Sequence, residues 1–223
     1  MEEKRGLMDL YRLLSDHFGL QHWWPAETRL EMMVGAILTQ AVSWENASQA
    51  VNRLKEEQLL NLSSLFSISS ASLSQLIKAS GYYNQKTKKI KALMEFIHYS
   101  YGGDLDDLFA EPLESLRAEL LGVYGLGPET VDSILLYAGE YPIFVIDRYT
   151  YRILRRLGLL PESMDKYDYH RLQHLFMSRL PLRVDLFQEY HALLVAQGKN
   201  YCQQRPGCDS CPLLAEEWCQ YRV

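Results

Sequence analysis

The sequence predicts an all-α protein. Apolar residues recur at helical spacing along most of the 223 residues, and glycine or proline turn signals separate the apolar stretches. Alternating strand patterns are nearly absent, and Ile143–Ile146 is the one short candidate for a strand.

The elements follow in order along the chain. The first stretch places Leu7, Leu10 and Leu14 on one helix face, and the second is apolar on nearly every side, as in a buried helix. Ser43 is a good N-cap for the third. The predicted helices cover residues 4–19, 29–41, 43–60, 71–80, 84–100, 112–121, 128–139, 147–157, 165–180 and 183–198.

The charge balance is slightly acidic and uneven. Lys and Arg number 23 against 28 Asp and Glu, a formal net charge of −5, which disfavours binding of nucleic acid through bulk positive charge. Yet residues 71–94 hold five lysines and no acid, and residues 148–156 hold four arginines and no acid, whereas 104–119 hold six acids and one arginine. A single run of this kind is usually a solvated helix face, but two acid-free basic runs favour a phosphate-binding side.

No apolar run approaches the ~20 residues that span a bilayer, and the charged N-terminus has no signal-peptide segment. We therefore expect a cytoplasmic protein with no membrane partner.

All four cysteines lie between residues 202 and 219, and such clustering indicates a metal site rather than a disulfide scaffold.

Residues 121–138 read as a helical hairpin. Gly125 and Gly127 allow a tight turn, and Pro128 opens the second helix at a favoured position. Bare N–H groups at this helix start suit a phosphate, although an ordinary helical hairpin would look the same.

Asp147 follows an apolar run and opens the next predicted helix. Its simplest role is that of an N-cap. A carboxylate held there is also fixed in place and kept ionised, so capping and catalysis are compatible.

The gaps between Cys202, Cys208, Cys211 and Cys219 are five, two and seven residues. Four thiolates this close can hold one [4Fe–4S] cluster, and they suit a structural zinc ion equally well.

A group of aromatic residues near the N-terminus has two interpretations. It either fills the hydrophobic core or forms a stacking pocket for an extruded base. The group consists of Trp23, Trp24, Pro25 and Trp44.

Together these motifs resemble the endonuclease III superfamily of helix-hairpin-helix DNA glycosylases. The hairpin LGVYGLGPET, the Asp147–Arg152 spacing and GYYNQKTKKIK at 81–91 carry the resemblance, which extends from about residue 7 to 200. It implies a six-helix barrel domain at 29–141, a second helical domain from 1–28 and 142–223, and a DNA cleft between these two halves.

The resemblance also assigns roles. It implies Asp147 as the catalytic carboxylate, and it favours the iron–sulfur cluster over zinc for the four cysteines. Trp23, Trp24, Pro25, Trp44 and Glu129 are expected to line the base pocket. The expected DNA-binding residues are Gln40, Lys86, Gly125, Gly127, Thr130 and Arg205, with Gln40 at the position that fills or probes the gap in the duplex.

Glu129 narrows the expected activity. Bifunctional members of the superfamily carry at this position a lysine that forms a Schiff base, which a carboxylate cannot do. With its tryptophans and its GLGPET hairpin, the chain is similar to the 3-methyladenine DNA glycosylase III branch. We expect a monomeric, nucleoid-associated, monofunctional glycosylase of base excision repair that removes alkylated purines from damaged double-stranded DNA. The alternatives are a bifunctional glycosylase/lyase for oxidised pyrimidines and a non-catalytic module that binds DNA structure.

Overall fold

The computed structural model describes residues 6–160, 164, 166–219 and 221. Over these residues the chain is helical, with no strand, so the predicted all-α fold is confirmed. Residues 4, 5 and 165 of two predicted helices lie outside the described residues.

Thirteen α-helices are found in the described part of the chain. They are α1 (Leu7–Phe18), α2 (Arg29–Leu38), α3 (Trp44–Glu56), α4 (Leu62–Ser67), α5 (Ser70–Leu76), α6 (Tyr83–Tyr101), α7 (Leu105–Leu108), α8 (Leu113–Gly122), α9 (Pro128–Tyr137), α10 (Arg148–Arg156), α11 (Tyr169–Met177), α12 (Val184–Asn200) and α13 (Pro212–Ala215). A 3₁₀ turn, Lys78–Ser80, precedes α6. None of the described helices is long and apolar enough to cross a membrane.

The chain divides into two compact units. The central unit is Trp24–Tyr141 and holds α2 to α9. The terminal unit comprises the described residues within Met1–Trp23 and Pro142–Val223, and it holds α1 and α10 to α13.

The core of the central unit forms around α2. Every residue of α2 from Leu30 to Leu38 is buried, as its all-round apolar pattern predicts. Helices α3, α6 and α9 pack against it. This arrangement brings the start of α9, where the hairpin turns, against the end of α2.

The core of the terminal unit is aromatic. The rings of Phe144 and Phe176 stack at 4.0 Å, and Phe187 and Tyr190 meet Phe144 edge-on. The hydroxyl of Tyr190 donates to the carbonyl of Leu7, which ties α12 to α1.

The strand considered at Ile143–Ile146 does not form. These four residues are buried, but no described strand lies beside them. The carbonyl of Phe144 instead accepts a hydrogen bond from the side-chain amide of Gln173 at 2.7 Å. A side chain thus satisfies a backbone group that a strand would have paired.

Candidate active site

The hairpin joins α8 to α9 through Val123–Gly127. Gly125 has φ +79°, a left-handed conformation that side chains other than glycine rarely adopt. Gly127 is the exposed N-cap of α9, and a Cβ there would meet nothing within 4 Å. The start of α9 therefore presents backbone to solvent.

An ion pair holds the two hairpin helices together. The guanidinium of Arg117 on α8 donates to both carboxylate oxygens of Asp132 on α9, at 2.7 and 3.1 Å. Asp132 is completely buried. A bidentate pair of this kind fixes orientation as well as distance, so the hairpin is a rigid platform.

Gln40 lies against this platform. Its amide nitrogen donates to the hydroxyl of Thr130 at 2.8 Å and to the carbonyl of Gly125 at 3.4 Å. Its amide oxygen accepts a short hydrogen bond from the ammonium of Lys89. The side chain of Thr130, an expected DNA contact, is buried and faces Gln40.

Lys86 does not have the expected DNA-binding position. Its side chain is only 2% exposed, and its ammonium donates to the carbonyls of Leu38 and Ser80 at 2.7 and 2.5 Å. Burial, with a smaller contribution from Lys89, lowers the pKa of Lys86 to about 8. The prediction of a phosphate contact at Lys86 is therefore wrong, because the residue caps the end of α2 from inside.

Four further basic residues of the two runs, Lys89, Lys91, Arg152 and Arg156, also bond to groups of the protein itself. Lys91 donates to the carbonyls at the end of α4, and Arg152 donates to the carbonyl of Cys202 at 2.6 Å. The four exposed members of the two runs are Lys78, Lys88, Arg148 and Arg155. Five of the nine basic residues in the two runs are thus engaged within the protein, and phosphate binding by these runs stays a prediction for the four exposed residues.

An aromatic cluster forms in the central unit. Trp24 meets Trp44 edge-on at 5.5 Å and Tyr137 at 5.7 Å between ring centroids. The indole of Trp24 lies against Gly35 of α2, where a Cβ would be in van der Waals contact with its Nε1 at 3.4 Å. Pro25 is exposed beside this cluster in sequence. Trp23 belongs to the terminal unit, where the ammonium of Lys199 lies over its ring at 5.6 Å.

Glu129 is exposed in the first turn of α9. An acidic side chain is favourable there because it faces the positive end of the helix dipole. This position supplies a carboxylate and no amine.

Asp147 is the N-cap of α10 and is nearly buried, at 7% exposure. Its Oδ1 accepts hydrogen bonds from the backbone N–H of Thr150 at 2.7 Å and from the Thr150 hydroxyl at 2.8 Å. The carboxylate is therefore held in a single orientation by its own helix.

The second oxygen of Asp147 faces α12. Nε2 of His191, a buried residue, lies 3.8 Å from Oδ2. Burial lowers the pKa of His191, and the nearby carboxylate opposes that shift only in part. The imidazole therefore favours its neutral form beside the carboxylate.

Helix α12 reaches α10 at Gly198. A Cβ there would lie 2.3 Å from the ring of Tyr149, so only glycine allows this contact. The guanidinium of Arg152 lies over the same ring at 5.0 Å.

The four cysteines converge on one cavity, and none forms a disulfide. Among the described residues, no group of three or more His, Cys, Asp or Glu side chains stands in metal-binding geometry. Two nitrogen donors nevertheless point at sulfur: Arg156 lies 3.1 Å from Sγ of Cys202, and the amide of Gln197 lies 3.2 Å from Sγ of Cys211. Burial, and then the neighbouring cysteines, raise the pKa of Cys219.

These contacts fit a metal centre that needs thiolates. Nitrogen donors stabilise negatively charged sulfur, and a cation among the four would relieve the mutual repulsion of the thiolates. Arg205 is exposed in the loop between the first two cysteines, and its expected contact with DNA stays a prediction.

Sequence reasoning missed three neighbours of these residues. In the sequence, Lys89 is one of five lysines in a basic run, Tyr137 is one of several apolar positions in α9, and His191 belongs to no motif. Each is defined by a contact with a residue distant in sequence, so no local pattern could have found it.

Comparison with known proteins agrees with this arrangement. A family model described as HhH-GPD superfamily base excision DNA repair protein matches residues 34–179. The Methanocaldococcus jannaschii protein named "Putative DNA repair glycosylase MJ1434" is 43% identical over 217 residues, which cover 94% of each chain.

Two solved structures are similar over nearly their whole length. The crystal structure of H. pylori 3-methyladenine DNA glycosylase bound to 1,N6-ethenoadenine has a TM-score of 0.76 and 27% identity, covering 86% of this chain and 96% of that one. A non-covalent endonuclease III–DNA complex has a TM-score of 0.81 at 21% identity, covering 99% and 96%. The second likeness concerns the fold. The chain therefore belongs to the HhH-GPD superfamily and is a base excision repair DNA glycosylase.

Proposed function

We propose that the protein is a monofunctional glycosylase that hydrolyses the N-glycosidic bond of alkylated purines, such as 3-methyladenine, in double-stranded DNA. The observation that carries this proposal is Glu129, which occupies the first turn of α9 where the lyase branch has its nucleophilic lysine. Without an amine there, water is the nucleophile that remains.

Asp147 supplies the chemistry in this proposal. Positive charge develops on the deoxyribose as the bond to the base breaks, and a fixed carboxylate stabilises that charge. Thr150 holds Oδ1 through two hydrogen bonds, so Oδ2 is the oxygen left to orient or deprotonate water. An N3-alkylated purine is already a good leaving group, so no general acid for the base is required.

The aromatic cluster supports an alkylated purine as the substrate. An extruded base loses its stacking partners, and Trp24, Trp44 and Tyr137 offer replacement faces. An alkylated purine is cationic, and indole faces attract cations by about 0.5–2 kcal/mol.

Base release from a panel of alkylated, deaminated and oxidised duplexes tests the activity. Asp147→Asn keeps an oxygen for the N-cap but loses the charge, and we expect release of 3-methyladenine to fall about 10²-fold or more while DNA binding is retained. Asp168→Asn is the matched control, because Asp168 caps α11 in the same way through the N–H of Arg171. Equal loss in both variants would contradict the catalytic assignment.

The monofunctional character has its own test. Borohydride reduction during turnover traps a Schiff base as a covalent protein–DNA adduct. We expect no adduct with the wild-type protein on any lesion, and an adduct together with release of oxidised pyrimidines would establish the bifunctional alternative.

We also propose that Cys202, Cys208, Cys211 and Cys219 hold a [4Fe–4S] cluster, which would supply a structural cross-link of the C-terminal loop. Their shared cavity and the two nitrogen donors aimed at sulfur support this. Anaerobically purified protein should be brown and contain about four iron atoms per chain. Colourless protein with one zinc ion would favour the alternative site.

A further inference from the structure

Lys89 is the residue whose contacts the proposed function leaves unused. It lies on α6, half-buried, between Gln40 at the end of α2 and Gly125 in the hairpin. All three residues belong to the central unit.

Two contacts fix where the Lys89 side chain runs. A Cβ on Gly125 would lie 2.5 to 2.8 Å from Cγ, Cδ and Cε of Lys89, so the methylene chain passes over the hairpin in the space that glycine leaves. The ammonium at its end then donates to the amide oxygen of Gln40.

This bond decides which way the Gln40 amide faces. With its oxygen held by Lys89, the amide presents its nitrogen to Thr130 and to the carbonyl of Gly125. Rotating the amide by half a turn would set its NH₂ group against an ammonium, two donors with no acceptor between them.

We propose that Lys89 is a positioning residue for Gln40, and that it fixes the side chain that recognises the gap left by an extruded base. This inference rests on the proposed glycosylase function and on the role in the duplex that the family resemblance implies for Gln40. It does not require that base release occur, because recognition of a gap is a binding event.

The exposed neighbour Lys88 provides a matched control. Lys89→Met keeps a chain of similar length over Gly125 and removes the ammonium, whereas Lys88→Met removes one exposed charge from the same helix. The measurement is the dissociation constant for a duplex with one tetrahydrofuran abasic site and for the intact duplex of the same sequence.

We expect Lys89→Met to lower the preference for the abasic duplex about tenfold, the value of one hydrogen bond from a charged donor. Gln40→Ala should lower it by a similar factor, and the double variant should lose no more than the larger single loss, since both act through one side chain. Lys88→Met should weaken binding of both duplexes by the same factor. Lys89→Arg, which retains a stem and a cationic donor, should recover most of the preference.

The proposal is overturned if Lys89→Met weakens binding of both duplexes by the same factor, as expected for Lys88→Met. It is also overturned if the double variant loses preference by the product of the losses in Lys89→Met and Gln40→Ala. Absence of any wild-type preference for the abasic duplex also overturns it. Failure of the proposed enzymatic function appears elsewhere, as a lack of base release across the lesion panel.

Discussion

At the scale of single residues, His191 makes folding sensitive to mild acid. Its pKa is lowered by burial, so the unfolded chain takes up a proton before the folded chain does as the pH falls. The stabilising contribution of the neutral imidazole is complete above pH about 6.5 and is lost as the pH falls through the lower folded-state pKa.

We therefore expect the free energy of unfolding to decrease between pH 7 and pH 5 more steeply in the wild type than in His191→Gln. Urea denaturation at a series of pH values measures the slope. His174→Gln, at an exposed position of α11, is the matched control, and an unchanged slope in His191→Gln would contradict the assignment.

Residue roles could be predicted where a side chain acts on its own helix. Asp147 and Ser43 are N-caps that the sequence predicts correctly, because an N-cap bonds a backbone group only three residues away. Lys86 could not be predicted, since the carbonyl it satisfies belongs to Leu38, 48 positions earlier. Burial of a charged side chain is decided by tertiary packing, which the local pattern does not report.

At the scale of helices and turns, the hairpin tolerates a side chain at one glycine and not at the other. Gly125→Ala forces a left-handed φ on alanine and pushes a methyl group against Lys89, at a cost of about 1–2 kcal/mol. Gly127→Ala has an ordinary φ of −93° and open space, so it should cost only the preference of an N-cap for glycine over alanine, about 0.5–1 kcal/mol. Urea denaturation of both variants compares them, and equal losses would be inconsistent with this geometry.

The close contact of α10 and α12 makes a second prediction about glycine. Gly198→Ala places a methyl group in the ring of Tyr149, and overpacking of this kind costs about 1–3 kcal/mol. Gly122→Ala, at the open end of α8, should instead leave stability unchanged or raise it slightly. Thermal unfolding of the two variants distinguishes them; a stabilised Gly198→Ala would show that the helices can move apart.

Long helices could be predicted from their apolar spacing, whereas short ones could not. The ten predicted helices all correspond to observed ones, but α4, α7 and α13 have only four to six residues and too few apolar positions to show a period. The prediction of a strand was wrong because the apolar run is clear in the sequence but the pairing partner that a strand needs is not. A buried apolar run such as Ile143–Ile146 looks like a strand whether or not a partner exists to pair with it.

At the scale of the whole molecule, fewer basic side chains are accessible than the two acid-free runs indicate. Of nine basic residues in the two acid-free runs, only Lys78, Lys88, Arg148 and Arg155 are exposed. The other five donate hydrogen bonds to backbone carbonyls, to the sulfur of Cys202 or to the side chain of Gln40.

We expect the association constant for undamaged duplex DNA to decrease as the salt concentration rises, with a shallow slope on logarithmic axes. The logarithm of the association constant changes by about −0.9 per phosphate contact, so four contacts give a slope near −4 on the logarithm of salt concentration. Fluorescence anisotropy measures this slope. Lys78→Met should make the slope shallower by about one. Lys91→Met should leave the slope unchanged, because the Lys91 ammonium binds carbonyls at the end of α4. A wild-type slope near −8 would mean that the inward-facing residues also reach DNA.

The nine-residue helix α10 connects the Asp147 carboxylate with the cysteine segment of the terminal unit. Asp147 is the N-cap of α10, the helix's Arg152 and Arg156 donate to the carbonyls of Cys202 and Gln203, and its last carbonyl accepts from the thiol of Cys219. The loop and the carboxylate therefore share one rigid support. We therefore expect a change at the cysteines to disturb the position of the proposed catalytic carboxylate through this helix.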